Sequence, residues 1–194
     1  MTGNKIKWMG LIIAVLCIVT ACKQQHTPKP RGYFRISFPE RGYQVFNEAH
    51  PFRFDYPNYA HVVRDTSANA EQHWVNVVFP DFDGQIHISY KAVNNNFNEL
   101  MEDSRKLAYK HTIKADAINE RMFYNEERKV TGVLYEIRGE AASPLQFFAT
   151  DSLHHFIRGA LYFNAIPNQD SLAPVINFVH EDVMHLMETI QWNN

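Results

Sequence analysis

Cysteine is scarce in this chain and lies entirely near its start. Cys17 and Cys22 are the two cysteines among 194 residues, so residues 23–194 contain no thiol at all. That absence excludes an intrachain disulfide, a cysteine nucleophile and a cysteine-ligated zinc site from this part of the chain. Its stability must therefore come from an ordinary hydrophobic core.

Long hydrophobic runs are missing as well. The apolar segment at residues 8–21 has fourteen residues, fewer than the roughly 20 that a transmembrane helix needs. It follows Lys5 and Lys7 and ends in Val-Thr-Ala before Cys22. A basic start, a short apolar stretch and a small residue before the cut are typical of a secretory signal, and this ending is similar to the lipobox of bacterial lipoproteins. We predict a signal peptide over residues 1–21 and lipidation of Cys22.

Clusters of positive charge are also absent. Without residues 1–21 the chain has 17 basic and 21 acidic residues, a formal net charge of −4. It contains no run of five or more basic residues, which argues against nucleic acid or an anionic lipid surface as a partner. Aromatic residues are plentiful at 13%, and this favours a packed core over a disordered tail.

The mature chain divides into a short tether and one domain. Residues 22–31 are polar and contain Pro28 and Pro30, a composition typical of an extended spacer. Residues 32–194 have a length that suits a single domain. No acidic residue follows Cys22 closely, and the next residue is Lys23. By analogy with other bacterial lipoproteins, this favours anchoring in the outer membrane, facing the periplasm.

Alternating apolar residues predict strands along most of the domain. Residues 80–84 separate two of them as a turn, in which Gly84 is available for a positive φ. We place strands at residues 33–38, 52–56, 74–79, 85–90, 117–124, 130–138, 145–150 and 156–163.

Two segments have the period of an amphipathic helix. The first has an apolar stripe from Phe97 to His111. The second is capped by Ser171 in this interpretation, with Pro174 in its first turn, where a missing N–H is harmless. Its buried stripe comprises Val175, Val179, Val183, Leu186 and Ile190.

Strands, a helix, further strands and a closing helix predict an α+β fold, an antiparallel sheet covered by helices. The order is also similar to the Mog1/PsbP-type sandwich, with an aromatic-Tyr-Pro strand near the start and a helix at the end. This resemblance concerns the fold and carries no function.

Catalytic and metal-binding patterns find no support. His180 and His185 are five residues apart, whereas metalloprotease helices place two histidines four apart. His154 and His155 are adjacent, so in a strand they face opposite ways. Ser143 lacks the glycines of a nucleophile elbow. The adjacent acidic pairs 102–103 and 181–182 are interpreted as surface charge. We predict no catalytic residue, no metal and no cofactor.

Three stretches carry a resemblance to a known family. They are residues 27–36 (TPKPRGYFRI), residues 102–118 (EDSRKLAYKHTIKADAI), and residues 141–152 with 155–163 (AASPLQFFATDS and HFIRGALYF). Together they resemble the gliding motility lipoprotein GldD family of Bacteroidota, over nearly the whole mature chain. The resemblance implies a non-enzymatic accessory lipoprotein, acylated (with palmitate or a similar chain) at Cys22. It implies a requirement for gliding and an association with type IX secretion, with other envelope proteins of these systems as partners.

Three classes of function stay open at this stage. One is an envelope scaffold that assembles or stabilises secretion and motility proteins. Another is a periplasmic binding module for a peptide or glycan, using an aromatic sheet face around Trp74 and Phe79. A hydrolase is the third.

A partner surface is predicted on the first helix and on a later turn. The helix has an outer polar stripe that no catalytic geometry explains, and residues 151–158 form the turn. The predicted contact residues are Arg105, Lys106, Lys110, Asp151, His155 and Arg158.

Overall fold

A computed structural model of the chain describes residues 36–110 and 114–193, without the side chain of Gln169. The signal peptide, the tether with Cys22, residues 33–35 and His111 lie outside the described residues. The domain boundary at residue 32 therefore stays a prediction. Residues 36–38 are not part of a strand, so the strand predicted at residues 33–38 is wrong over its second half.

Ten strands form two antiparallel sheets in the described part of the chain. The small sheet has the order β1-β2-β10 and the large sheet the order β3-β4-β5-β9-β8-β7-β6. The strands are β1 (Tyr43–Phe46), β2 (Phe52–Pro57), β3 (His61–Arg64), β4 (Val75–Phe79), β5 (Gly84–Ala92), β6 (Ala115–Asn125), β7 (Val130–Gly139), β8 (Leu145–Thr150), β9 (His155–Phe163) and β10 (Gln191–Trp192).

The two helices cover opposite faces of the large sheet. Helix α1 (Phe97–Tyr109) packs over Tyr135, Ile137, Phe148 and Phe156. Helix α2 (Gln169–Thr189) and the small sheet lie on the other face and enclose the main core. That core contains residues from every layer, among them Phe52, Phe54, Val77, Ile86, Leu134, Phe147, Leu161, Val179 and Leu186. The α+β fold with an antiparallel sheet covered by helices is confirmed.

Alternation along the strands separates the two faces. On β8, Phe147 and Ala149 belong to the main core, whereas Phe148 packs under α1. Both sides of this strand are buried along its whole length, because β8 lies in the interior of the sheet and has cover on each face. The buried stripe predicted for α2 is confirmed, since all five of its residues are buried.

Three local predictions are wrong. Asp83, with φ 45°, takes the left-handed conformation, and Gly84 is instead the first residue of β5. Asn168 caps α2 in place of Ser171 and accepts a hydrogen bond from the Ser171 N–H. Helix α2 thus begins earlier than predicted, and Pro174 lies inside it, past the first turn. An asparagine cap competes well with serine, and the pattern does not distinguish them.

Candidate functional site

The outer stripe of α1 is exposed as the sequence predicts. The side chain of Lys106 is 62% exposed and that of Arg105 is 54% exposed. Arg105 lies 3.7 Å from Glu120 of β6, and its guanidinium lies 4.9 Å from the centre of the Tyr109 ring. Lys110 is also exposed, at the carboxyl end of the helix. Arg105 and Lys106 therefore remain exposed at the surface and are not held in buried ion pairs.

The α1 stripe continues onto the edge of the large sheet. The Tyr109 hydroxyl donates a 2.8 Å hydrogen bond to Glu120, which joins the end of α1 to β6. Strand β6 is one of the two edge strands of the large sheet, and Met122 and Tyr124 are 79% and 71% exposed on it. We call the exposed residues Arg105, Lys106, Lys110, Met122 and Tyr124 the α1–β6 surface.

The turn between β8 and β9 is built around Asp151. Its carboxylate accepts hydrogen bonds from the backbone N–H groups of residues 153, 154 and 155, at 3.0, 2.8 and 2.8 Å. Burial alone would raise the pKa of Asp151, but these three donors hold that pKa below its usual value. The exposed residues of the turn are Leu153 and His154. The carboxylate of Asp151 is thus occupied in shaping the turn.

His155 and Arg158 point to opposite faces of the large sheet. The His155 ring stacks on Trp192 with 5.1 Å between ring centres, and its Nδ1 lies 3.0 Å from the Tyr90 hydroxyl. Burial lowers the pKa of His155. Arg158 is half-buried on the other face, where it donates a 2.6 Å hydrogen bond to the Gln146 side-chain oxygen.

The structure does not bring the predicted helix and turn residues into one patch. Glu120, beside Arg105, pairs with Tyr135 of β7, which in turn pairs with Gln146 of β8. Asp151 lies five residues further along, about 17 Å at the rise of a β-strand. The predicted partner surface is therefore divided into two separate patches, one on α1 and one at the β8–β9 turn. The patch on α1 is the more exposed of the two.

Asp182 is a buried residue that the sequence analysis assigned to surface charge. It is 1% exposed, on the face of α2 toward the small sheet. Tyr43 donates a 3.1 Å hydrogen bond to one carboxylate oxygen, and Tyr59 donates to the other. Arg41 lies 3.6 Å away. The interpretation as surface charge is therefore wrong. The sequence pattern could not reveal the burial, because both tyrosines come from segments more than 100 residues earlier in the chain.

The contacts of Asp182 attach the start of the described chain to α2. Arg41 also pairs with Glu181, donates a 2.8 Å hydrogen bond to the Phe178 carbonyl and stacks on the Phe178 ring. Burial raises the pKa of Tyr43 to about 12, with Asp182 acting in the same direction. These contacts join the early segment of the chain to α2, so we interpret the cluster as a structural one.

The other sequence candidates occupy structural positions. His180 lies 2.9 Å from Glu136 of β7, whereas the His185 ring stacks on Tyr43. No cluster of three or more potential metal ligands occurs in residues 36–110 and 114–193. Ser143 is fully buried and donates to the Leu145 carbonyl at 3.3 Å.

The aromatic sheet face proposed for ligand binding is not open. Phe79 is 1% exposed and belongs to the main core. Trp74 precedes β4, and its indole N–H donates to the Tyr90 carbonyl at 3.1 Å. These two residues therefore do not form one binding face, because alternation directs Phe79 inward.

The architecture of the described residues defines a fold class. A seven-stranded antiparallel sheet between helices is similar to the solution structure of cyanobacterial PsbP (CyanoP) from Synechocystis sp. PCC 6803. That likeness has a TM-score of 0.51 at 9% identity and covers 82% of this chain and 98% of that one. At this identity it shows the fold alone, which is PsbP-like.

The family follows from the sequence. The model of the family described as "Gliding motility lipoprotein GldD" matches residues 23–192, so the chain belongs to this family. Membership establishes a gliding motility lipoprotein, held in the cell envelope by its lipid. A comparison with curated proteins gives no match. Neither helix described here combines the length and the apolar character needed to cross a bilayer.

Proposed function

We propose that this lipoprotein is a non-enzymatic accessory component that supports type IX secretion as well as gliding. In this proposal acylated Cys22 anchors it in the outer membrane, and the domain faces the periplasm. It assembles or stabilises other envelope proteins of the two systems by binding them. Family membership supports the setting in the envelope, and the α1–β6 surface supports the binding.

The observation that carries the proposal is the exposed stripe of α1 beside a strand edge. An edge strand has unpaired N–H and C=O groups, to which an extended segment of another protein can add. Met122 and Tyr124 supply apolar contact on that edge, and Arg105 and Lys106 supply charge next to it. Charges at the rim of an interface mainly affect association rate and specificity.

Charge reversal on α1 tests this role. We expect Arg105→Glu with Lys106→Glu to leave folding intact, because exposed ion pairs contribute only about 0–1 kcal/mol. Colony spreading and the amount of protein secreted into the medium should both fall. A photo-crosslinker placed at Met122 in intact envelopes should lose its crosslinked product in the same variant.

The control is Arg53→Glu with Arg64→Glu, which changes the net charge equally at two other exposed arginines. It should retain spreading, secretion and the crosslink. Normal spreading and secretion in the α1 variant, at a normal protein level in immunoblots, would refute the assignment.

A further inference from the structure

Part of the large sheet has a polar face, and two of its side chains are buried. It lies beside α1, on β4, β5, β8 and β9, on the side away from the main core. We call this set the polar face; its members are Asn76, Gln85, His87, Gln146, Arg158 and Tyr162. Asn76 is 9% and Gln146 is 1% exposed. A solvated face of an antiparallel sheet usually has exposed polar side chains, whereas buried polar side chains need hydrogen-bond partners.

Arg158 is a half-buried cation without a carboxylate partner. Burial lowers its pKa, with the Tyr162 hydroxyl beside it acting in the opposite direction. It donates a 2.6 Å hydrogen bond to the neutral side-chain oxygen of Gln146, and the Tyr162 hydroxyl is a second hydrogen-bond partner. All 21 Asp and Glu residues of the chain lie within the described segments, and none of them pairs with Arg158 there. Buried cations in proteins are normally paired, so this half-buried guanidinium favours an anionic partner.

The Gln146 side-chain nitrogen is a hydrogen-bond donor without an acceptor among the described residues. Arg158 can only donate, so the Gln146 oxygen must face it and the Gln146 nitrogen must face elsewhere. That nitrogen is buried and has no hydrogen-bond partner in the described residues. A buried donor without an acceptor is destabilising. The same side chain thus holds the guanidinium in place and lacks an acceptor of its own.

His87 adds hydrogen bonds to the polar face but no charge. Its Nδ1 lies 2.7 Å from the Asn76 oxygen and must donate to it. Its Nε2 lies 3.1 Å from the Gln85 nitrogen and must accept from it. Both ring nitrogens are thereby used in the neutral form, and burial lowers the pKa of His87. The positive charge of the polar face resides on Arg158.

A cavity of about 470 Å³ adjoins the polar face. Gln85, His87 and Tyr162 belong to both, and Asp83 and Asn164 line the cavity at the ends of β5 and β9. The cavity is large enough for a small organic molecule. Its lining supplies amide, imidazole and phenol groups near the guanidinium, and the Asp83 carboxylate lies at the end of the cavity formed by the start of β5.

We propose that the polar face binds the carboxylate or phosphate group of a small ligand, with Arg158 as its counter-charge. The planar guanidinium matches either group with two parallel hydrogen bonds. The remainder of the ligand occupies the adjoining cavity. Gln146 orients the guanidinium before the ligand arrives, and preorganisation of this kind is what a binding site requires. This site is independent of the α1–β6 surface.

The test uses the full-length lipidated protein in detergent micelles. Inorganic phosphate and acetate are titrated separately, and the Nε–Hε resonance of Arg158 is followed by NMR. We expect at least one anion to shift this resonance saturably. The anion that binds more tightly identifies the phosphate or carboxylate class.

Arg158→Lys is the matched variant, because it keeps the charge and removes the planar fork. We expect it to weaken binding, measured by calorimetry, about tenfold, whereas Arg105→Lys on α1 should bind as the wild type does. Absence of saturation with both anions in the wild type would overturn the proposal. So would equal affinity in the wild type and Arg158→Lys.

Discussion

At the scale of single residues, Asp182 is a buried carboxylate that joins distant parts of the chain. Its carboxylate accepts from Tyr43 and Tyr59, which belong to the early part of the chain. We expect Asp182→Ala to lower the free energy of unfolding by about 1–3 kcal/mol, because it leaves buried donors without an acceptor. Chemical denaturation measures this change. A loss as small as that of Glu181→Ala, at the exposed neighbour, would contradict the structural role.

Asp182 should also make the stability of the fold depend on pH. Burial raises the pKa of the Asp182 carboxyl above its usual value, while Tyr59, Tyr43 and Arg41 act to lower it. A raised pKa in the folded state means that the stabilisation is complete below the unfolded pKa and declines as the pH rises through the folded pKa. The stability difference between the wild type and Asp182→Asn should therefore be largest in acid and narrow toward neutral pH. Denaturation curves at several pH values check this, and a difference that widens with pH would contradict it.

Gly159 is a position where the packing requires the absence of a side chain. It pairs with Phe147 across β8 and β9, and an added Cβ would overlap the Phe147 ring. Overpacking of this kind costs about 1–3 kcal/mol, so Gly159→Ala should lower the free energy of unfolding by that amount. Gly42→Ala is the control, because its Cβ would meet the end of the Asn58 side chain. Equal stability losses in the two variants would show that Phe147 can move aside.

At the scale of elements, the start of α2 offers a direct comparison of two caps. The Asn168 side chain accepts from the Ser171 N–H at 3.1 Å. Asn168→Ala should cost about 1 kcal/mol, whereas Ser171→Ala should be nearly neutral, because alanine favours the helix interior. Thermal or chemical unfolding of the two variants measures the difference. A larger loss in Ser171→Ala would restore the cap that the sequence analysis chose.

Elements with many consecutive periodic residues could be predicted, and short ones could not. Strands at 145–150 and 130–138 and the stripe of α2 follow from alternation and helical period alone. Strands β1, β3 and β10 have four, four and two residues, too few for a pattern to emerge. Each of them pairs with a longer strand, β1 and β10 with β2 and β3 with β4.

At the scale of the whole molecule, we predict that retention in the envelope depends on lipidation of Cys22. A single acyl chain holds a protein at a membrane only marginally, whereas two or more hold it stably. We expect Cys22→Ala to accumulate as an uncleaved or mislocalised precursor. Fractionation together with mass spectrometry of the mature N-terminus measures this. An unlipidated N-terminus in the wild type would contradict the prediction.

The α+β class, the main strands, both helices and the family resemblance follow from local pattern in the chain. Such features depend on neighbouring residues, because alternation and helical period directly report which side chains face a core. The role of Asp182 and the polar face around Arg158 depend on residues far apart in sequence. Arg158 and Gln146 meet only because β8 pairs with β9, and Asp182 meets Tyr43 only because the small sheet packs on α2. Burial of a charged group is a property of that packing, so these sites were decided by the tertiary structure.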